Sequence, residues 1–311
     1  MAIIPVRDEA HWHELRAKHI GGSDSAAILG VSPYKTKWQL WMEKAGRLSP
    51  EDLSNNKAVQ AGTFLESGIA NWAAHRWGMP MEKITHYYSV DDTPGMGASF
   101  DYATKEGYPV EIKWSANAHG WTYDNDQILE APDQYIIQVQ HQIACVDAPH
   151  GWLIALIHNE PRRLFVPRHE GIIDAIKTGV VQFWSSIRDN VEPEVDFSLD
   201  AEAIDRMMEK IPLTDVDLDA EHTALFEKYI QCNADIKKAE ADKDAAKAEI
   251  LVLAKARMEG TNTPLERAIV RCGERKMSIT TVKPNLGVEV TQDMVGTRIK
   301  TRRGYQLVLI S

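Results

Sequence analysis

The stretch that decides the fold is Met96-Gly-Ala-Ser-Phe-Asp-Tyr-Ala-Thr-Lys-Glu-Gly-Tyr-Pro-Val-Glu-Ile-Lys-Trp-Ser115. Two β-rich runs flank a polar, glycine-containing turn, and this pattern predicts an antiparallel hairpin. On the second strand Val110 and Ile112 are aliphatic, and Glu111 and Lys113 alternate with them. Because neighbouring side chains of a strand point to opposite faces, the carboxylate and the ammonium share one face.

Asp101 belongs to the first strand of this hairpin and can lie across from Glu111 and Lys113. Two carboxylates and a lysine would then converge on one small volume. Hard oxygen ligands of this kind suit Mg²⁺ or Mn²⁺. The same three residues also fit the solvated face of an antiparallel sheet with a weak cross-strand ion pair. Taken alone, the pattern leaves a metal site and a surface face both open.

A second candidate site is near the N-terminus, where Ile20-Gly-Gly-Ser-Asp24 precedes the small and apolar run 25–29. Small residues with a Ser or Asp before an apolar run predict the start of a helix. The free N–H groups and the positive dipole end of such a start can hold a phosphate. Simple capping of the helix by Ser23 or Asp24 explains the same pattern.

A long helix is predicted upstream of the hairpin, over residues 56–78, and its apolar stripe includes Leu65 and Trp72. Glu66 lies beside that stripe, where a surface glutamate is the ordinary interpretation. Downstream of the hairpin, the polar and aromatic stretch 114–130 is predicted to be a mobile loop on the substrate side.

The spacing Asp101-x9-Glu111-x-Lys113, followed by a predicted helix over residues 133–146, resembles the core of the PD-(D/E)XK nucleases. Within that helix, Tyr135-x-x-Gln-Val-Gln140 matches the Tyr-x-x-Gln-Val-Gln element of lambda exonuclease. The match implies that the first glutamine of the element, Gln138, faces the catalytic centre, and it implies less about the second.

Residues near the N-terminus narrow the resemblance to the lambda exonuclease and YqaJ-like viral recombinase family. Arg16 and the segment Gly21-Gly-Ser-Asp24 look like the amino-terminal signature of that family. Where many relatives have Pro before the aspartate and Gly after it, this chain has Phe100 and Tyr102. The departure bears on the local backbone geometry more than on the chemistry.

The resemblance implies a metal-dependent nuclease centre on the hairpin. The residues implied to hold one or two Mg²⁺ or Mn²⁺ ions are Asp101, Glu111, Glu66 and Ile112, the last through its backbone carbonyl. Lys113 would orient the attacking water and lower its pKa, and Gln138 would complete the wall of the site. Arg16 and Ser23 would contact a terminal 5′-phosphate.

The expected fold class is α/β, a PD-(D/E)XK restriction-endonuclease-like mixed central sheet flanked by helices, with a C-terminal helical plus β extension. The predicted domains are an exonuclease domain at residues 1–195, an acidic linker at 196–220 and an extension at 221–311. In the extension, apolar residues at spacings of three and four predict a helical seam. A helical hairpin, a helix packed on the nuclease domain and a dimeric coiled coil all fit that seam.

The last fifty residues are β-rich in sequence. Strands are predicted at 278–282, 287–290 and 305–310. Four basic residues either touch nucleic acid or solvate an edge strand; they are Arg298, Lys300, Arg302 and Arg303.

Composition sets outer limits. At 311 residues and 44% hydrophobic, the chain can bury one substantial core and carry an appendage. The sequence has neither a signal-peptide pattern nor an apolar run of about 18 residues, so we expect a protein of the bacterial host cytoplasm with no membrane partner. Three widely spaced cysteines argue against a disulfide framework and against a four-cysteine metal site.

The net charge of −10 is unfavourable for overall attraction to DNA. Ten acidic residues against two basic ones lie within residues 191–220, however, so much of the imbalance is local. A basic groove elsewhere in the chain remains compatible with this composition.

The function implied by the resemblance is that of a phage-type recombination exonuclease. It would degrade one strand of duplex DNA from 5′ to 3′ with Mg²⁺ and leave a 3′ single-stranded overhang. Its partners would be duplex DNA ends, further copies of the chain in a trimeric ring, and a single-strand annealing protein. A structure-specific endonuclease or junction resolvase is the alternative enzyme, and a DNA-end-binding scaffold is the non-enzymatic alternative.

Overall fold

The structure is a computed structural model that describes residues 1–209, 211, 214–258, 267–282 and 305–310. The chain divides into two units, Met1–Leu213 and Thr214–Ser311. The elements of the first unit are β1 (Ala2–Pro5), α1 (Glu9–Lys18), α2 (Gly22–Ile28), α3 (Lys37–Lys44), α4 (Lys57–Trp77), β2 (Met81–Lys83), β3 (His86–Ser89), β4 (Gly97–Ala98), β5 (Tyr102–Thr104), β6 (Pro109–Ser115), β7 (Thr122–Asp124), β8 (Gln127–Glu130), α5 (Asp133–Val146), β9 (His150–Ile157), β10 (Glu160–Pro167), α6 (Glu170–Arg188) and α7 (Ala201–Met208).

The central sheet of the first unit has seven strands in the order β2-β5-β6-β9-β10-β8-β7. The pairs β6 with β9 and β10 with β8 are parallel, and the other neighbours are antiparallel. A parallel pair needs a crossover connection, and α5 lies in the connection from β6 to β9. A smaller sheet has the order β1-β3-β4. The predicted α/β fold with a mixed central sheet is confirmed.

The predicted hairpin is formed by β5 and β6, with Tyr102 opposite Val110. In its turn, the N–H of Gly107 donates to the carbonyl of Thr104 at 2.9 Å. Gly107 adopts a φ of +84°, a left-handed conformation that costs glycine no steric strain. The turn therefore fixes the register that separates the aliphatic face of β6 from its charged face.

The aliphatic face of β6 packs on α4. Val110 and Ile112 form a buried cluster with Ile69, Ala70 and Ala73 of that helix. The small alanines let the helix approach the strand closely, and they determine which side of α4 faces the sheet.

The predicted apolar stripe of α4 is therefore partly wrong. Leu65 is 40% exposed and Trp72 is 44% exposed, although both belong to that stripe. The helix turns its alanine-containing side toward β6, so these two larger side chains lie outside the buried cluster.

The predicted mobile loop at 114–130 is also wrong. It contains β7 and β8, and β8 pairs with β10 at Arg163 opposite Gln127. Trp121 and Ile128 are buried in the main core. β7 pairs with its neighbour β8, whereas β8 joins the central sheet through β10, which lies far along the chain.

The predicted acidic linker at 196–220 begins as part of the first unit. Its residues include α7, whose Ala203 is buried in the main core. Asp200, just before that helix, accepts a hydrogen bond from Thr36 Oγ1 at 2.5 Å. Docking of α7 on the body places the division between the units after residue 213.

The second unit contains a short 3-10 helix (Ala220–His222), α8 (Thr223–Met258), β11 (Arg267–Cys272), β12 (Arg275–Val282) and β13 (Tyr305–Ile310). α8 is one continuous helix of 36 residues, so the helical-hairpin interpretation of the seam is wrong. The three strands form a sheet in the order β11-β12-β13. The predicted strand at 287–290 and the basic residues at 298–303 lie outside the described residues.

No helix within the described ranges is both long enough and apolar enough to cross a membrane.

Candidate active site

The charged face of β6 lies under α5. Glu111 is 3% exposed, and the Lys113 side chain beside it is 22% exposed. Lys113 Nζ donates to Glu111 Oε1. The alternation read from the sequence is therefore present, and the charged face is turned inward instead of lying open to solvent.

Two glutamines of α5 donate hydrogen bonds to the Glu111 carboxylate. Gln138 Nε2 donates to Oε1 at 2.5 Å, and Gln142 Nε2 donates to Oε2 at 2.6 Å. The sequence predicts Gln138 at this wall but assigns nothing to Gln142. The available signal was its position four residues after Gln138, which places both amides on one helix face.

Asp101 lies just before β5, not within it as predicted, and it approaches β6 from that position. Its Oδ2 accepts a hydrogen bond from the N–H of Ile112 at 2.8 Å. Burial and the nearby charge of Glu111 raise the pKa of Asp101 well above its usual value, although Lys113 opposes the shift. Two carboxylates thus share a region in which one lysine does not neutralise both.

Lys113 carries its charge in spite of its surroundings. Burial alone would lower its pKa, but the charges of Glu111 and Asp101 outweigh that effect and raise it. The ammonium lies 5.1 Å from the ring centroid of Tyr135. Tyr135 Oη is 3.1 Å from Tyr34 Oη, so aromatic residues line this side of the site.

Glu66 faces the site from α4 and is less closely engaged. Its Oε1 accepts a hydrogen bond from Lys83 Nζ at 2.9 Å, and its charge contributes to the raised pKa of Asp101. Glu66, Lys83 and Asp101 line a common cleft with Trp12 and His86.

The oxygen atoms around β6 are compatible with the implied metal ion. Over the described ranges, no group of three or more His, Cys, Asp or Glu side chains is arranged to hold a metal ion. Mg²⁺ commonly uses one or two carboxylates and keeps several waters, so Asp101, Glu111 and the carbonyl of Ile112 are a sufficient oxygen set. The pKa of Asp101 is raised by burial and by the charge of Glu111, and a bound cation would oppose both effects. The residues therefore fit a divalent cation.

The second predicted site also comes together. Arg16 Nη2 lies 3.4 Å from Ser23 Oγ and donates to it, and it lies 3.9 Å from Asp24 Oδ1. Lys44 Nζ is 3.1 Å from Asp24 Oδ2. Burial opposes ionisation of Asp24, but Lys44 and Arg16 outweigh it and lower its pKa. Burial also lowers the pKa of Lys44, although Asp24 opposes that shift.

The start of α2 is capped by a different residue from the two proposed. Gly21 occupies the cap position, and its N–H donates to Asp24 Oδ2 at 3.2 Å. Ser23 lies within the first turn, and its hydroxyl accepts from Arg16.

Two other polar residues of α5 have structural roles. Gln140 Nε2 donates to the carbonyl of Pro167, and Gln140 Oε1 accepts from the N–H of His169. His141 lies between Ser25 Oγ and the carbonyl of Gly97, at 2.6 Å and 2.9 Å. Burial lowers the pKa of His141 to about 4, so it is a neutral link between α2, α5 and β4. Gln140 points away from the charged face of β6.

Part of the chain is similar to a known family of proteins. Residues 11–149 match the model of the YqaJ-like viral recombinase domain. The uncharacterized protein YqaJ of Bacillus subtilis (strain 168) is 28% identical over 201 residues, which are 63% of this chain and 61% of that protein. The chain thus matches about three fifths of the length of that relative.

Two solved structures are also similar to this chain. An alkaline exonuclease from Laribacter hongkongensis is 17% identical, with a TM-score of 0.45, over 63% of this chain and 98% of that one. A phage related exonuclease from Haemophilus somnus 129PT is 14% identical, with a TM-score of 0.45, over 56% and 95%. The resemblance predicted from the motifs is confirmed by the domain match, in which residues 11–149 of this chain are similar to the YqaJ-like viral recombinase domain.

Proposed function

We propose that the chain is a metal-dependent deoxyribonuclease that degrades one strand of duplex DNA from its 5′ end. The observation that carries the proposal is the convergence of Asp101, Glu111 and Lys113 on the β5–β6 hairpin, with Gln138 donating to Glu111. The YqaJ-like domain supports the same activity class. The exonuclease names of the similar structures agree with it.

The residues that would hold Mg²⁺ or Mn²⁺ are Asp101, Glu111 and the carbonyl of Ile112. Glu66 of α4 would also bind the ion once its ion pair with Lys83, at 2.9 Å between Nζ and Oε1, is broken. When bound, the ion would polarise the attacked phosphate and lower the pKa of the attacking water. Asp101 must lose its proton to bind a cation, which its raised pKa makes harder at low pH.

Lys113 and Gln138 would organise the chemistry around these carboxylates. The Lys113 ammonium lies between Glu111 and Tyr135, where it would donate a hydrogen bond to the attacking water. A neighbouring cation favours the hydroxide form of that water and so raises its nucleophilicity at neutral pH. Gln138 would keep Glu111 from rotating during the reaction.

The 5′ direction of digestion is proposed from the N-terminal site. Arg16 and Ser23 lie within hydrogen-bond distance of each other at the edge of α2. Gly22, beside Ser23, packs against Gln138, so the two sites are neighbours. A guanidinium can make bidentate, charge-assisted bonds to phosphate oxygens. A DNA end held there would lie close to the Glu111 carboxylate.

Digestion of end-labelled duplexes tests this proposal. Linear duplexes labelled at either end, with and without a 5′-phosphate, would be incubated with Mg²⁺ and either the unmutated chain or Lys113→Ala. We expect label to be released first from 5′-phosphorylated ends, and only by the unmutated chain. Cleavage of closed circles or of junctions would favour the endonuclease alternative. Binding of DNA ends without any cleavage would favour the scaffold alternative.

The proposed partners are duplex DNA ends, further copies of the chain and a single-strand annealing protein. A chain with a net charge of −10 cannot hold DNA by overall attraction, so several copies that gather their basic residues around one duplex would help. Light scattering at micromolar concentration tests the self-association. A monomer that degrades long duplexes without dissociating would contradict it.

A further inference from the structure

Gln142 is a fully buried residue of α5 that the family motif does not assign. It lies four residues after Gln138, and the two amides hold different oxygens of Glu111. We propose that Gln142 is a positioning residue that makes Oε2 of Glu111 the oxygen presented to the metal ion. The inference rests on the proposed function, because it concerns the same metal site.

The available lone pairs of Glu111 indicate which oxygen is free. Each carboxylate oxygen offers two lone-pair sites. Oε1 accepts from both Lys113 Nζ and Gln138 Nε2, so both of its sites are occupied. Oε2 accepts from Gln142 Nε2, its donor among the described residues, and keeps one site open. The open site is therefore on Oε2, and the Gln142 amide determines its direction.

The other end of the Gln142 amide points to the same conclusion. Gln142 Oε1 is buried and has no hydrogen-bond partner among the described residues. A buried acceptor without a donor is costly, and an ordered water is its usual partner. Mg²⁺ retains several waters when it binds to carboxylates, and these waters are hydrogen-bond donors. The unpaired oxygen thus fits a hydrated cation next to Glu111.

Packing holds the Gln142 side chain in place. Gly22 of α2 lies against the γ-methylenes of both glutamines, because a Cβ at this position would be 3.1 Å from Gln138 Cγ and 3.7 Å from Gln142 Cγ. The absence of a side chain at Gly22 lets α2 close over the two glutamines. Both amides lie on the side of α5 that faces β6, where they donate to Glu111.

Gln140 provides a matched control on the same helix. It is 2% exposed, its amide donates to the carbonyl of Pro167 at 2.7 Å, and its oxygen accepts from the N–H of His169. Replacing Gln140 therefore removes buried hydrogen bonds of a similar kind without touching Glu111. A general loss of packing would affect Gln140 and Gln142 variants alike.

Mn²⁺ titration of the full chain, followed by electron paramagnetic resonance, tests the inference. We expect Gln142→Met to weaken Mn²⁺ binding roughly 10- to 100-fold, the usual effect of removing a residue that supports a metal ligand. Gln140→Met should bind Mn²⁺ like the unmutated chain. Unchanged affinity in Gln142→Met, or an equal loss in both variants, would overturn the inference.

Two further variants keep the test decisive. Gln142→Asn retains a buried amide but withdraws it from Oε2 by one methylene, and it serves if Gln142→Met does not fold. It should show the same weakening. Glu111→Gln should lose Mn²⁺ binding altogether. If the unmutated chain binds no Mn²⁺, or Glu111→Gln binds it normally, the proposed function and the inference both fail. If only the Gln142 variants keep normal affinity, the inference fails alone.

Discussion

Two carboxylates of the first unit, Asp24 and Asp101, lie in opposite electrostatic surroundings. Around Asp24 the cations Lys44 and Arg16 more than offset burial, and its pKa is lowered. Around Asp101 burial and the charge of Glu111 act together, and its pKa is raised. The difference shows that the first carboxylate is neutralised by the protein itself. The second has a deficit of positive charge that a divalent cation would fill.

The largest expected effect comes from removing charged side chains near Asp101, namely Glu111 and Lys113. Glu111→Gln and Lys113→Ala should each reduce Mg²⁺-dependent cleavage of duplex DNA by roughly a thousandfold or more, because Glu111 would hold the metal ion and Lys113 would donate to the attacking water. Cleavage rates would be measured beside melting temperatures. Lys105→Ala, in the turn of the same hairpin, is the control and should cleave normally. Comparable cleavage by Lys113→Ala would remove this lysine from the mechanism.

Around Asp24, removal of a cation should lower the stability of the fold. Lys44→Met leaves Asp24 buried without its nearest cation, at present 3.1 Å away. Breaking a buried pair in this way should lower the free energy of unfolding by about 3–5 kcal/mol, measured by urea denaturation. Adding Asp24→Asn should recover part of the loss. A loss below about 1 kcal/mol, the size typical of exposed pairs, would show that Asp24 is not held by Lys44.

Arg16 lies at the edge of the same group and should matter for the DNA end. The unmutated chain should prefer 5′-phosphorylated over 5′-hydroxyl duplexes, and Arg16→Ala should lose a preference of roughly tenfold or more, because charged hydrogen bonds to phosphate disappear. Initial rates on the two substrates measure it. Lys18→Ala, on the same helix, is the control and should keep the preference. Equal rates on both ends in the unmutated chain would contradict this assignment.

The smallest expected effect is on the pH dependence of stability, with opposite signs at the two carboxylates. Asp101 has a folded pKa above its unfolded value of about 3.9, so its contribution is present at low pH and lost as the pH rises through the folded pKa. Asp24 has a folded pKa below that value, so its contribution is lost as the pH falls through it.

Urea denaturation of the metal-free chain between acidic and neutral pH tests these signs. Asp101→Asn should remove the loss of stability with rising pH, and excess Mg²⁺ should have the same effect in the unmutated chain. Asp24→Asn should act only at the acidic end. A pH profile of the free energy of unfolding for Asp101→Asn that matches the unmutated chain would show that the pKa of this carboxyl group is not raised by folding.

The parts of the fold that depend on near neighbours follow from the sequence. The predicted helix at 133–146 coincides with α5, because its apolar positions repeat at helical spacing. The hairpin follows from a glycine-containing turn between two alternating strands. The face shared by Glu111 and Lys113 follows from the same alternation.

Features that depend on distant partners were not predictable in this way. β8 joins the central sheet by pairing with β10, and the stretch 114–130 contains no sign of that partner. Leu65 and Trp72 are exposed because the side of α4 that packs on the sheet is the one that carries Ala70 and Ala73. Gln142 belongs to the site because its amide meets a carboxylate on β6. In each case the contact joins residues that are brought together only by the tertiary fold.

Under the proposed function, the contact of Gly22 with Gln138 bears on the length of the fragments that would be released. It sets how closely the start of α2, where a DNA end would be held, approaches the helix that carries Gln138. Every cycle would begin at the same offset along the strand, so the released fragments would share one length. A bulkier residue at this position would change that offset, and the change would appear first in the size distribution of the fragments.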